Sequence, residues 1–204
     1  MFSILVLFIF LIIYSVVHSL LAGLPVKNWA RQTFGPATDR WYRLFYNGFA
    51  VVTILPLFFL LAVLPDTTLY VVSAPWGWLM GAGQLLALVG AGIAFLQTNP
   101  FHFVGIAQLL ANNPTENTAF TASGLYKWVR HPIYFFSLLF IWLTPLMTLN
   151  LFVTYLLFTI YFYWGSIHEE NRLVAEFGPL YQDYQKRVPR LIPVPGRRYQ
   201  SRGV

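Results

Sequence analysis

Long apolar stretches, each close to the length that crosses a bilayer, constrain this chain more than anything else in it. A span needs about 20 consecutive apolar residues to cover a hydrocarbon core of roughly 30 Å. Stretches of that kind run from roughly Ile4 to Leu24, from Leu44 to Leu64 and from Trp76 to Leu96. A further stretch, Ile133 to Trp164, is too long for one span and is broken by Pro145 and Asn150. It reads as two short helices joined by a tight turn, a hairpin that crosses fully only with tilt or local thinning. The predicted fold class is an all-α polytopic membrane protein of about five transmembrane helices, with a C-terminal helical hairpin and a cytoplasmic tail. Composition agrees, since only 10% of residues are charged against about a quarter in soluble domains. Met1 to Leu24 has no Lys or Arg before its apolar run and exceeds a signal-peptide core in length, so it reads as a retained first span.

The basic residues test this division. With five spans, one side of the membrane receives Pro25 to Arg43, Gln97 to Arg130 and His168 onward, and all 13 Lys and Arg fall there. The other side, Pro65 to Pro75 and the turn at Pro145 to Asn150, carries only Asp66. The positive-inside rule then predicts an outer N-terminus and a cytoplasmic C-terminus. Orientation in a bilayer accounts for the positive charge, and no nucleic-acid motif accompanies it. The chain has no cysteine, which excludes disulfides, thiolate metal ligands and a catalytic thiol.

Within this frame Pro56 predicts a kink in the second span. Gly77, Gly81, Gly83, Gly90 and Gly92 predict close helix approach in the third. The loop from Gln97 to Arg130 turns repeatedly, at Asn99-Pro100, at Asn112-Asn113-Pro114 and at Ser123-Gly124, and is long enough to read as functional. The tail reads as a continuation of the fifth span through Glu169, Glu170, Leu173 and Phe177, stopped by Gly178-Pro179. A short helix with Tyr181 and Tyr184 follows, before Pro189, Pro193 and Pro195 prevent more.

Arg130-His131-Pro132 stands where the long loop enters the fourth span, with Pro132 suited to a first helical turn. That puts Arg130 and His131 at the membrane surface beside a partially positive helix end, a setting suited to an anion. The hairpin is antiparallel, so Glu169 and Glu170 should face them across a gap rimmed by Tyr126, Tyr134, Tyr161, Tyr163 and Trp164. Such a site can hold an amino acid by both ends, Arg for its carboxylate and Glu for its ammonium. Composition alone favours the plainer reading, a solvated rim closed by a salt bridge, with aromatics enriched there as at any interface.

The order of motifs carries a resemblance. Residues 121 to 134, Thr-Ala-Ser-Gly-Leu-Tyr-Lys-Trp-Val-Arg-His-Pro-Ile-Tyr, resemble the GxY…VRHPxY signature of the isoprenylcysteine carboxyl methyltransferase and phospholipid methyltransferase superfamily. Glu169-Glu170, then Phe177-Gly178-Pro-Leu-Tyr181-Gln-Asp-Tyr184 and Val188-Pro189-Arg190-Leu-Ile-Pro193, resemble its ending. The first half is similar to the NnrU-like branch, which includes methanethiol S-methyltransferases, at His18-Ser19, at Arg43-Leu-Phe-Tyr46-Asn47 and from Asn99 to Gln108. One departure is Phe135-Phe136-Ser137, where the family often has Gly shortly after the tyrosine; a narrower pocket, or a small residue supplied elsewhere, would follow.

The resemblance implies an S-adenosylmethionine-dependent membrane methyltransferase. Tyr126, Arg130, His131, Tyr134, Glu169 and Glu170 would form the cofactor site, with Arg130, Glu169 and Glu170 catalytic. His18, Asn47, Asn99 and Gln108 would lie on the substrate side. The acceptor would be small or lipophilic: a thiol first, then a prenylcysteine-like carboxylate or a lipid amine. Residues 1–204 would form a single membrane domain, with 1–96 supplying three spans and 97–204 the catalytic loop, hairpin and tail. Two rival readings are an NADPH-dependent reductase of the sterol reductase type, disfavoured by length, and a non-catalytic membrane subunit.

Other residues have plain alternatives. His18 reads equally as a packed histidine bonded to Ser19 or to a neighbouring helix, and Asn47 and Gln84 as interhelical hydrogen-bond partners. His102, His131 and His168 lack metal-motif spacing, so no metal is expected. Arg197, Arg198 and Arg202 suit anionic lipid headgroups.

Overall fold

The computed structural model describes residues 1–110, 120 and 122–199. The Asn112-Asn113-Pro114 turn, Thr121 and Arg202 named above lie outside them. Four helices are long and apolar enough to cross a membrane: α1 (Phe2–Ala22), α3 (Thr38–Val63), α4 (Trp76–Leu96) and α8 (Leu149–Phe177). At about 1.5 Å per residue the shorter of them reach roughly 31 Å. The chain is an integral membrane protein, and most of its described residues are helical. Between these helices lie α2 (Leu24–Phe34), α5 (Pro100–Val104), α6 (Ile106–Leu110), a 3₁₀ turn at Gly124–Lys127, α7 (Pro132–Trp142) and α9 (Pro179–Arg187). Two short strands, β1 (Thr68–Val71) and β2 (Leu146–Thr148), form a two-stranded sheet.

The hairpin differs from the expected pair of short helices. Its first arm, α7, has 11 residues, about 16 Å of helix and half a hydrocarbon core. Its second arm, α8, has 29 residues. The break lies where Pro145 cannot join a helix, and the Thr144 hydroxyl donates to the Ile141 carbonyl at 2.7 Å. Asn150, expected to interrupt, instead lies in the first turn of α8, buried, where its amide donates to the Pro65 carbonyl at 3.2 Å. Asp66 Oδ1 accepts from the backbone N–H of Thr67 at 2.7 Å and of Asn150 at 3.0 Å. The other end of α8 follows expectation: it stops at Phe177, and Gly178, at φ +56°, turns the chain into α9.

The described residues divide into two compact units, one drawn from Met1–Leu69, Thr98–Asn117 and Thr148–Leu157, the other from Tyr70–Gln97, Thr118–Met147 and Phe158–Val204. In the first, α2 was not foreseen. It occupies the basic segment after the first span, with Pro25 in its first turn, and Lys27 and Arg31 reach Asp39 at 3.8 and 3.3 Å. Tyr42 ties α3 to the end of α1 by donating to the Leu21 carbonyl at 2.7 Å. Pro56 lies inside α3 without ending it. Gly105 takes φ +105°, and a Cβ there would come within 2.6 Å of the Leu44 nitrogen, so α5 and α6 fold onto α3 only with glycine at this position.

In the second unit α4 packs along α7. A Cβ on Gly90 would meet the Phe136 ring at 2.5 Å, and one on Gly83 would meet Leu143 at 2.9 Å. Gln84 donates to the Phe140 carbonyl at 2.9 Å. Gly81 and Gly92 face open space, so close approach belongs to part of the predicted glycine series. The tail has its own core of Tyr181, Tyr184 and Val188, covered by Phe120, Leu173 and Phe177.

Gly90→Val should lower the melting temperature of the detergent-solubilised protein, because the branched side chain overpacks against Phe136 at a cost of about 1–3 kcal/mol. Gly92→Val on the open face should change it little. Near-ultraviolet circular dichroism melts of the two variants would check this, and equal melting temperatures would contradict it.

Candidate active site

Two main-chain hydrogen bonds bring the tail onto the entrance of α7. The Arg130 N–H donates to the Pro189 carbonyl at 2.9 Å, and the His131 N–H donates to the Arg190 carbonyl at 3.1 Å. Proline at 189 loses nothing by this, since its carbonyl is the group used. Tyr199 adds a bond from its N–H to the Lys127 carbonyl at 2.9 Å. Arg130, His131 and Arg190 therefore arrive together from segments some 60 residues apart in sequence.

The acidic partners come from the last turns of α8. Adjacent positions on a helix differ by about 100°, so Glu169 and Glu170 face different surroundings. Glu170 is 1% exposed and is enclosed by cations. Its Oε1 lies 3.1 Å from His131 Nε2 and 3.1 Å from Arg130 Nε. Its Oε2 accepts from Arg190 Nη2 at 3.1 Å and from Gln185 Nε2 at 3.0 Å, and Arg190 Nε lies 3.3 Å from both oxygens. The Glu169 side chain is 37% exposed. Its Oε2 accepts from the Tyr134 hydroxyl at 3.1 Å and lies 3.5 Å from His131 Nδ1. The two nitrogens of His131 thus bridge the two carboxylates.

This geometry sets the charge of His131. Burial pulls its pKa down, but hydrogen bonds to Glu169 and Glu170, and then their negative charge, outweigh burial and leave it above the usual histidine value. Burial raises the phenols of Tyr126, Tyr181 and Tyr184 out of reach of ordinary pH. The His131 ring stacks on Tyr134 at 5.2 Å, and Tyr134 stacks on Phe162 at 5.0 Å, each pair 5° from parallel. The Arg190 guanidinium lies 5.8 Å from the Tyr163 ring centre.

Of the residues singled out in the sequence, Arg130, His131, Tyr134, Glu169 and Glu170 meet here, in direct contact rather than across an open gap. Tyr126 is set slightly apart: its carbonyl accepts from the Tyr184 hydroxyl at 2.6 Å, tying it to the tail core. Arg190 and Gln185 were not foreseen. The signal for Arg190 in the sequence is its place in Val188-Pro189-Arg190.

His18, Asn47, Asn99 and Gln108 belong to the other unit. His18 Nε2 pairs with the Tyr46 hydroxyl. Asn47 donates to the Phe103 and Val104 carbonyls at 3.0 and 2.9 Å, and Asn99 caps α5 by accepting from the His102 N–H. Gln108 donates to the His102 carbonyl at 3.0 Å, while its own Oε1 is buried without a partner among the described residues. Arg43 donates to His102 Nδ1 and to the His102 carbonyl, both at 3.0 Å. Burial, then the charge of Arg43, lowers the His102 pKa and keeps that ring neutral. Asn47 and Arg43 tie α5 to α3, and Gln108 ties α6 to α5. Among the described residues no cluster of metal-ligating side chains occurs, and Arg198, expected at lipid headgroups, lies 5.9 Å from the Trp128 ring centre.

Comparison with known proteins identifies the family. A family described as "Protein of unknown function (DUF1295)" matches residues 5–188. A methanethiol S-methyltransferase from a Pseudomonas species is 34% identical over 203 residues, covering 96% of this chain and 74% of that protein. The methanethiol S-methyltransferase of Mycobacterium tuberculosis is 31% identical, covering 91% of this chain and 76% of its own length. The protein-S-isoprenylcysteine O-methyltransferase of Schizosaccharomyces pombe is 36% identical over 120 residues, 55% of this chain and 45% of that one. No solved structure matches. These names bear out methyl transfer rather than the reductase or non-catalytic readings. The chain belongs to the DUF1295 family, is related over most of its length to methanethiol S-methyltransferases, and is a membrane methyltransferase.

Proposed function

We propose that the chain moves the methyl group of S-adenosylmethionine to a small apolar thiol, at the start of α7 and the end of α8. One observation carries the reading: after the local ion pairs are made, one anionic and one cationic group remain available. Glu170 is spent on His131, Arg190, Gln185 and Arg130. Glu169 Oε1 and the two outer nitrogens of Arg130 have no partner among the described residues. A zwitterionic amino-acid end fits that remainder, with its carboxylate at Arg130 and its ammonium at Glu169. Tyr126 and Tyr134 are the aromatic candidates beside a sulfonium cation.

S-adenosylmethionine, when bound, supplies a methyl on a sulfonium, which a thiol sulfur takes after its proton has passed to water, leaving a neutral thioether. A thiolate is already the competent nucleophile, so the contribution asked of the protein is mainly position. Glu170 and Arg190 act as positioning residues: they fix Arg130 and His131, and His131 in turn orients Glu169. The names of the relatives favour methanethiol or a similar thiol over a carboxylate or an amine. The basic segments favour an outer N-terminus with this site and the C-terminus in the cytoplasm.

Calorimetric titration of S-adenosylhomocysteine into purified protein in detergent should give saturable binding. Arg130→Ala should weaken it about tenfold to a hundredfold, the worth of a charged hydrogen bond, and NADPH should give no heat. Folded protein that takes no S-adenosylhomocysteine would end the proposal. The two glutamates should separate by stability. Glu170→Gln leaves buried cations without their anion and should lose about 3–5 kcal/mol, whereas Glu169→Gln should weaken ligand binding and shift the melt less.

His131 gives a pH signature. Its folded pKa is raised, so its pairing stabilises fully below the unfolded value of about 6.5 and is lost as pH rises through the folded value. The melting temperature should therefore fall as pH is raised from about 6 upward, and His131→Gln should flatten that slope. An unchanged slope in the variant would contradict the bridging role.

A further inference from the structure

A cavity of about 250 Å³ lies between α4, α7 and α8, walled chiefly by Ala87, Ala91, Phe136, Ser137, Phe158 and Phe162. We infer that this cavity holds the alkyl group of the methyl acceptor, and that Ala91 and Phe158 set the longest thiol the protein accepts. The inference rests on the methyl-transfer reading above and deepens it by assigning the acceptor's place and size.

Its position supports this. Phe162 is a wall of the cavity and also stacks on Tyr134, whose hydroxyl holds Glu169. Two stacked rings, Phe162 and then Tyr134, therefore lead from the cavity to the charged cluster. Phe158 continues the stack at 6.1 Å from Phe162. The cavity opens beside Leu88 and Phe140, both exposed on the apolar surface, so an acceptor dissolved in the bilayer meets it without crossing charge.

Its chemistry selects among acceptors. Ser137 carries the only side-chain polar atom among the lining residues. A carboxylate or ammonium would lose its hydration there without an opposite charge to replace it. A neutral thiol enters at little cost. Volume limits it further: an apolar cavity of about 150 Å³ holds benzene, so this one has room for roughly ten heavy atoms by the same ratio, well short of a prenyl chain. The shape depends on Gly90, where any Cβ would collide with Phe136. The small residue absent from Phe135-Phe136-Ser137 is thus supplied by α4, and the Phe136 ring remains a wall.

The test uses the whole chain in detergent, with 1-butanethiol as probe and no cofactor, followed by saturation-transfer NMR. Binding that methanethiol displaces should be present in the parent, lost in Ala91→Leu and kept in Leu86→Phe, which alters the exposed side of the same helix. In methyl-transfer assays Ala91→Leu should raise KM for 1-butanethiol about tenfold or more and that for methanethiol far less. Phe158→Ala should shift preference toward 1-dodecanethiol, which is longer than the parent cavity holds. Equal 1-butanethiol binding in the parent and Ala91→Leu, or a uniform effect along the thiol series in both cavity variants, overturns the inference. Failure of the methyl-transfer reading looks different: S-adenosylhomocysteine would not bind, while the Ala91-sensitive thiol signal persisted.

Discussion

A single buried carboxylate organises the second unit. Glu170 gathers Arg130 and His131 from the entrance of α7 and Gln185 and Arg190 from the tail, while standing itself near the end of α8. An ionised group so buried is tolerated only if its lone pairs are met, and here both oxygens are. Without it Arg130 and Arg190 would be like charges held close together. The backbone pairing of residues 130–131 with 189–190 brings the same segments together by neutral hydrogen bonds, so charge and main chain act on one junction.

That junction divides the work between neighbouring glutamates. Glu170 is consumed in holding the tail, which leaves Glu169, partly exposed, as the carboxylate whose Oε1 has no partner among the described residues. His131 contacts both and transmits the order of one to the other. The ring stack from His131 through Tyr134 to Phe162 then carries a rigid wall from the charged cluster into the apolar interior. A polar ligand and an apolar one can thus be held on adjoining ground without either passing through the other's medium.

The helices that pack here use small residues and short length in place of hydrophobic driving force, which is weak between helices inside lipid. Gly83 and Gly90 let α4 lie close along α7, and α7 ends after 11 residues where Pro145 stops it. In the other unit, the histidine, asparagine and glutamine residues marked as substrate candidates mostly satisfy backbone carbonyls of α5 and α6 or a tyrosine hydroxyl. Irregular backbone needs such partners where water is scarce.

The sequence by itself determined four of the about five expected spans, that α8 runs to Phe177 and stops at Gly178, and that Arg130-His131 and Glu169-Glu170 lie at the same end of the hairpin. Those properties follow from local composition, from the missing N–H of proline and from antiparallel geometry, all readable over a few residues. Tertiary structure alone decided that α7 is half the length of a span, that Asn150 anchors rather than breaks, and that Glu170 rather than Glu169 is enclosed. Two adjacent glutamates are chemically identical in a sequence. They differ only because helix rotation turns one of them toward an arginine 20 residues further along, brought there by the fold of the tail.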